Sequence, residues 1–99
     1  MEFLSKYNFS EEEINEILKS NSKGIINNIV LNKENIVEII DYFLALDIDQ
    51  ETIKKMFKNQ IGIFFKTKKE LIDAFDEYEM ESIVKSLNYD VNTFDLIEF

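Results

Sequence analysis

Apolar positions along this chain recur at steps of three and four residues, the period of a helix with one buried face. Ile14, Ile17 and Leu18 line one face of a stretch that ends near Ser20, and Ile53, Met56 and Phe57 do the same further on. Residues 33–46 place Ile36, Ile39, Ile40, Phe43 and Leu44 on one side and Glu34, Glu38 and Asp41 on the other. Residues 68–78 carry Leu71, Ala74, Phe75 and Tyr78. The next stripe, Met80, Ile83, Val84 and Leu87, is out of phase with that one, which predicts a break near Glu79. The stretches 21–32 and 59–66, marked by Gly24 and Gly62, read as connections. Their apolar cores, Ile29-Val30-Leu31 and Ile63-Phe64-Phe65, have no partner strand and are expected to be short buried 3₁₀ or irregular segments. The pattern predicts an all-α fold, a small helical-repeat domain built of helix hairpins and solenoid-like, with about five to six short helices.

Local chemistry marks where helices start. In Phe9-Ser10-Glu11-Glu12-Glu13-Ile14, Ser10 can accept the amide of Glu13 while the Glu13 side chain returns to the amide of Ser10, and Phe9 and Ile14 close a hydrophobic staple. Ile48-Asp49-Gln50-Glu51-Thr52-Ile53 repeats the plan with Asp49 as the cap. An offset of 39 residues also brings Phe3, Leu4, Tyr7 and Phe9 onto Tyr42, Phe43, Leu46 and Ile48. A third copy is expected at Val91-Asn92-Thr93-Phe94-Asp95-Leu96.

The segment Leu44-Ala45-Leu46-Asp47-Ile48-Asp49-Gln50-Glu51-Thr52-Ile53, with Phe57-Lys58-Asn59-Gln60 after it, resembles the helical repeats of the mitochondrial transcription termination factor family. The likeness covers residues 3–78 best. It implies a stack of helix pairs, and members of that family bind duplex nucleic acid along an Arg- and Lys-rich concave surface. This chain has no Arg, and it lacks the Pro that the family places near the equivalents of Ser22–Lys23 and Ile61–Gly62.

Composition narrows the function. The 99 residues suit one domain, 1–99, and 45% apolar content with nine Phe argues against disorder despite a net charge of −9. The absence of Cys removes disulfides and thiolate metal sites, and the absence of His removes the commonest acid–base group. No Gly-rich phosphate loop is present, and no Ser sits in a nucleophile elbow. No catalytic residue, metal ligand or cofactor is therefore assigned. Asp47-x-Asp49-x-Glu51 has the opening spacing of a calcium loop, but Thr52 and Lys58 stand where Gly and the bidentate Glu belong. Met1-Glu2-Phe3-Leu4 lacks the basic start of a secretory signal, and no apolar run approaches membrane-spanning length, so a cytoplasmic protein is expected. The wealth of Asn, Ile and Lys fits an AT-rich bacterial genome or its phages and plasmids.

Charge is segregated. Residues 54–69 hold Lys54, Lys55, Lys58, Lys66, Lys68 and Lys69 and no acid, whereas net charge is −7 before them and −8 after. That basic patch is the candidate anion-binding site. Two rows of carboxylates, Glu34, Glu38 and Asp41, and Glu70, Asp73, Glu77 and Glu81, are the candidate partner-binding faces. Their helical steps imply spacings of about 4.5–6 Å along an axis, loosely like phosphates. The leading expectation is a non-catalytic module that occupies the basic surface of a protein partner, as a monomer or small homo-oligomer. One form would be an inhibitor of a nucleic-acid-processing or defence enzyme, anti-CRISPR-like in action. The alternatives are a weak nucleic-acid binder using the Lys54–Lys69 patch, whose contacts salt would disrupt, and an enzyme with a carboxylate or Lys site. Thirteen aromatic residues exceed the needs of a small core, and Tyr7, Phe94 and Phe99 are the expected exposed anchors.

Overall fold

Side chains that satisfy orphan amides in the first turn fix where most of the helices begin. The computed structural model describes all residues 1–99. It contains six α-helices, α1 (Glu11–Ser20), α2 (Lys23–Leu31), α3 (Lys33–Ala45), α4 (Gln50–Asn59), α5 (Lys68–Phe75) and α6 (Met80–Tyr89). Three 3₁₀ helices, η1 (Glu2–Tyr7), η2 (Ile61–Phe65) and η3 (Val91–Leu96), complete an all-α fold without strands. The Ser10–Glu13 capping box forms as expected, with reciprocal bonds of 3.1 and 2.9 Å. The Asp49 carboxylate accepts the Thr52 amide at 2.8 Å. A second capping box, Thr67 with Glu70, opens α5.

Several sequence expectations need correction. Residues 21–32 are not a connection. Ser22 accepts the Ile25 amide at 3.2 Å, and the 3–4 spacing of Ile25, Ile26, Ile29 and Val30 carries α2 through Gly24. The segment 59–66 does form a 3₁₀ helix, η2. Helix α5 stops at Phe75 rather than Tyr78 because the amides of Glu77 and Tyr78 bond back to Ala74 and Phe75 in a tightening turn. The break before α6 is real, and Glu79 caps the new helix through the Ser82 amide at 3.0 Å. At the expected third copy, the cap is Asp90 rather than Asn92, and the segment is 3₁₀ instead of α-helical.

The third copy lies elsewhere. Ser10, Asp49 and Glu79 each cap a helix of ten residues, α1, α4 and α6. Ile14, Ile53 and Ile83 hold equivalent places after the caps, as do Leu18, Phe57 and Leu87. The first two caps stand 39 residues apart and the last two only 30. At the offset of 30, α3–α4–η2 matches α5–α6–η3 element for element, and Phe64 falls on Phe94. Two residues before the first two caps, Asn8 and Asp47 adopt left-handed φ of 65° and 70°, a conformation that short polar side chains tolerate.

One cluster of 24 buried apolar residues forms the core. Phe57 stacks on Phe64 with ring centroids 4.2 Å apart, and Phe9 meets Phe57 edge-on at 5.4 Å. Phe43, Phe75 and Phe94 form a second group with centroids 5.8–6.4 Å apart. Tyr7 and Phe94 thus belong to the core at 5% and 2% exposure, contrary to the expectation that they are surface anchors, while Phe99 is exposed. The partly buried Asn88 ties α6 to the turn before α4. Its Oδ1 accepts from the Asp49 amide at 2.9 Å and the Thr52 hydroxyl at 3.0 Å, and its Nδ2 donates to the Asp47 carbonyl at 3.0 Å. The radius of gyration, 13.0 Å, matches an ordinary domain of this length.

The turn at Asp47 offers a clean test, because the residue contributes its backbone carbonyl and a left-handed φ. Asp47→Gly should leave the urea-unfolding free energy unchanged or slightly higher, whereas Asp47→Val should lower it by about 1–2 kcal/mol. Equal losses in the two variants would show that the Asp side chain, not the backbone conformation, holds the turn.

Candidate functional site

The six lysines of the basic segment do not form one open patch. Lys54, on α4 and mostly covered, bridges Glu13 of α1 at 3.2 Å and Glu51 at 3.6 Å, with its ammonium over the Phe9 ring. One turn on, Lys58 reaches Glu16 at 3.4 Å, so α4 is tied to α1 at two levels. Lys69 pairs with Asp73 at 3.2 Å. Lys66 lies over the Phe99 ring at 4.8 Å and Lys68 over Tyr42 at 5.8 Å. Lys55 is exposed and makes no ion pair. Surface pairs of this kind stabilise only weakly; their consequence here is to cancel the positive field locally.

Carboxylates fare differently. Only Glu13, Glu16, Glu51 and Asp73, of the twenty acids, take part in salt bridges. Glu34 and Glu38 are exposed on α3, and Asp41, one turn further, accepts the Tyr7 hydroxyl at 2.8 Å. The second expected row is broken. Glu70 turns back to accept the Thr67 amide at 3.1 Å, Asp73 is paired, Glu77 lies in the turn after α5, and Glu81 begins α6. A single ladder over Glu70, Asp73, Glu77 and Glu81 required one helix, and the chain breaks at 76–79. All seven carboxylates remain exposed.

The cleft between α1 and α4 is floored by Phe9, Ile17 and Phe57 and walled by Glu13, Glu16, Glu51, Lys54 and Lys58. Those walls are the ion pairs just described, and Ser20 and the unpaired Lys55 complete the lining. A hydrogen bond from the Ser10 backbone, and then Lys54, hold the Glu13 carboxyl below its ordinary range. An acid kept ionised in this way serves as a cap and is a poor proton donor. Groups of three or more acids converging as a metal site do not occur, and no helix is long and apolar enough to cross a membrane.

No family model, characterised protein or solved structure matches this chain significantly. Functional inference therefore rests on its own residues. Exposed apolar side chains form one feature that the sequence reading missed: Leu31 is 81% exposed, Tyr89 91% and Leu96 78%, with Leu18 and Val30 about half-covered. Their periodicity resembled that of core residues, and only the packing distinguishes them.

Two titrations probe this surface. Burial first, and then the hydrogen bond to Asp41, push the Tyr7 hydroxyl up to about 12. Its stabilising contribution is complete below pH 10.0 and is lost as pH rises toward the folded value. Tyrosinate absorbance should show one of the four tyrosines ionising near 12, and Asp41→Asn should bring that step down. At the acid end, Glu13 and Glu79 are both held below 4.5, Glu79 by hydrogen bonds from Ser82. A depressed carboxyl stabilises above its unfolded value and ceases to do so as pH falls through its folded one. Urea midpoints of a Glu13→Gln, Glu79→Gln variant should accordingly fall less steeply than those of the parent between about pH 5 and pH 3.

Proposed function

We propose that this chain is a non-catalytic protein-binding module that occupies the basic surface of a partner. The observation that carries the reading is the asymmetry of its charges. Five of the six lysines of the central segment, all but Lys55, are engaged by carboxylates or aromatic rings within the molecule, while Glu34, Glu38, Glu77 and Glu81 stand exposed without ion pairs. A surface of that kind steers and orients a cationic partner. The form that suits it best is an acidic inhibitor of a nucleic-acid-processing or defence enzyme, of bacterial, phage or plasmid origin, competing with nucleic acid for a basic groove.

The resemblance to transcription termination factor repeats is kept as a proposal about architecture. The recurring order of two α-helices and a 3₁₀ helix supports it. Family-like binding of duplex nucleic acid is disfavoured, since Lys54, Lys58 and Lys69 are already paired and the chain has no Arg.

Passing a lysate of the source cell over immobilised protein separates these readings. At about 0.15 M salt, a basic nucleic-acid-binding protein should be retained and should elute as salt rises. The purified chain should pass through heparin unretained and should block that partner's binding to nucleic acid. Retention on heparin that Lys54→Glu, Lys55→Glu and Lys58→Glu abolish, with no basic protein captured, would reverse the assignment in favour of nucleic acid.

A further inference from the structure

Helices α1 and α2 are the least covered part of the molecule. Each buries a single residue, Ile17 and Ile29, whereas α3 and α4 bury four apiece. What remains outside is an apolar strip. Leu18, 40% exposed, lines two adjoining shallow depressions. One continues past Ile14 to η1, and the other continues to Ile26 on α2. Both isoleucines are only partly covered.

The acids of α1 divide around this strip. Glu13 and Glu16 are met by Lys54 and Lys58 of α4. Glu2 and Glu11 rim the depression that holds Ile14 and Leu18, and Glu12 neighbours Glu11, whereas Lys19 follows along α1 and Lys23 lines the depression that reaches Ile26; none of these five makes a salt bridge. A partly apolar groove whose η1 end is acidic and unneutralised fits a ligand with an apolar stripe and cations toward that end.

We propose that the Ile14–Leu18–Ile26 groove is a docking site for an amphipathic helix of a partner protein, with Lys or Arg flanking its apolar stripe so as to lie over Glu2, Glu11 and Glu12. The inference rests on the reading of the chain as a protein-binding module and gives that module a specific site. Helix-in-groove recognition reads anchors at i, i+3 or i+4 and i+7, and Ile14, Leu18 and Ile26 offer such anchors apolar contacts in two depressions joined at Leu18. Charge selects the occupant. A second copy, itself carrying a net charge of −9, is opposed by like charge. An anionic membrane surface is repelled for the same reason.

The test is a titration of the ¹⁵N-labelled full chain with a Leu/Lys amphipathic peptide of about fourteen residues, roughly four helical turns. A Leu/Glu peptide of the same pattern serves as control. Amide shifts should centre on Ile14, Leu18 and Ile26, and the Leu/Glu peptide should produce none. Leu18→Asp should weaken binding by about tenfold or more, as loss of a central apolar anchor does. The paired substitutions Glu11→Gln and Glu12→Gln, which leave every apolar contact in place, should weaken it severalfold, so the conclusion does not depend on Leu18→Asp folding. Binding that Leu18→Asp leaves unchanged, with shifts spread over the acidic surface, overturns the groove while leaving the acidic protein-binding reading intact. Absence of peptide binding at low salt also overturns the groove, and the retention experiment then judges the broader reading by itself. A concentration-dependent dimer, or binding to phosphatidylserine vesicles, that Leu18→Asp abolishes would assign the strip to another occupant and overturn the proposal.

Discussion

Phe64 stacks face to face on Phe57 at 4.2 Å, and Phe94 closes on Phe43 and Phe75 at 5.8 and 6.4 Å. Both inserted rings are carried by 3₁₀ helices that follow a capped α-helix after one intervening residue. The tight 3₁₀ turn folds the chain back early enough to drive Phe64 onto Phe57 of the helix it has just left and Phe94 between Phe43 and Phe75. Truncating a buried Phe costs about 3–5 kcal/mol, a large share of the stability of a domain this small. This insertion orders the array: α3, α4 and η2 close around Phe64, while Phe94 of η3 sits against Phe75 of α5 and Phe43 of α3 and so joins the second unit to the first. Asn88 then bonds the second unit to the turn that starts α4.

The N-terminal unit departs from that plan, and its departure shapes the surface. Where the other two units place a 3₁₀ helix carrying a Phe after the capped helix, this one places α2, which buries only Ile29. With no ring driven under it, α1 is held to α4 by the Phe9–Phe57 edge contact and by Lys54 and Lys58 reaching Glu13 and Glu16. The pairing neutralises one edge of α1 and two of the six lysines of the basic segment together. The opposite edge of α1, with its apolar strip, is left uncovered, and its first turn is acidic through Glu11 and Glu12. The uncovered strip and the local balance of charge on α1 are thus two results of the same contacts.

The fold was largely legible because its determinants are local. The Ser10 and Asp49 caps, the staples around them and the break near Glu79 each follow from a few neighbouring residues. The third repeat is not at Val91, where apolar residues flank a polar one as they do at the true caps. The true equivalent cap is Glu79, and its neighbour Tyr78, at the place of Phe9 and Ile48, is exposed in a turn that the periodic stripe concealed. Residues 21–32 were misread because Gly24 signals a breaker, while the Ser22 cap and the isoleucine spacing outweigh it. The candidate site was less legible. Which lysines are neutralised depends on α1 and α4 meeting across some forty residues of chain, and which apolar residues stay exposed depends on what does not pack against them. Neither property is local, so runs of charge and apolar stripes could not reveal them.

Adjacent lysines on one helix test this account most directly. Lys54 is held between two carboxylates and over a ring, with its side chain 17% exposed, while Lys55 is exposed and makes no salt bridge. Limited acylation of the folded protein, read by peptide mass, should modify Lys55 well before Lys54, and Glu13→Gln should narrow the gap. Equal reactivity of Lys54 and Lys55 in the parent protein would show that the basic segment is open to solvent and available to a ligand, contradicting the charge asymmetry on which the functional reading rests.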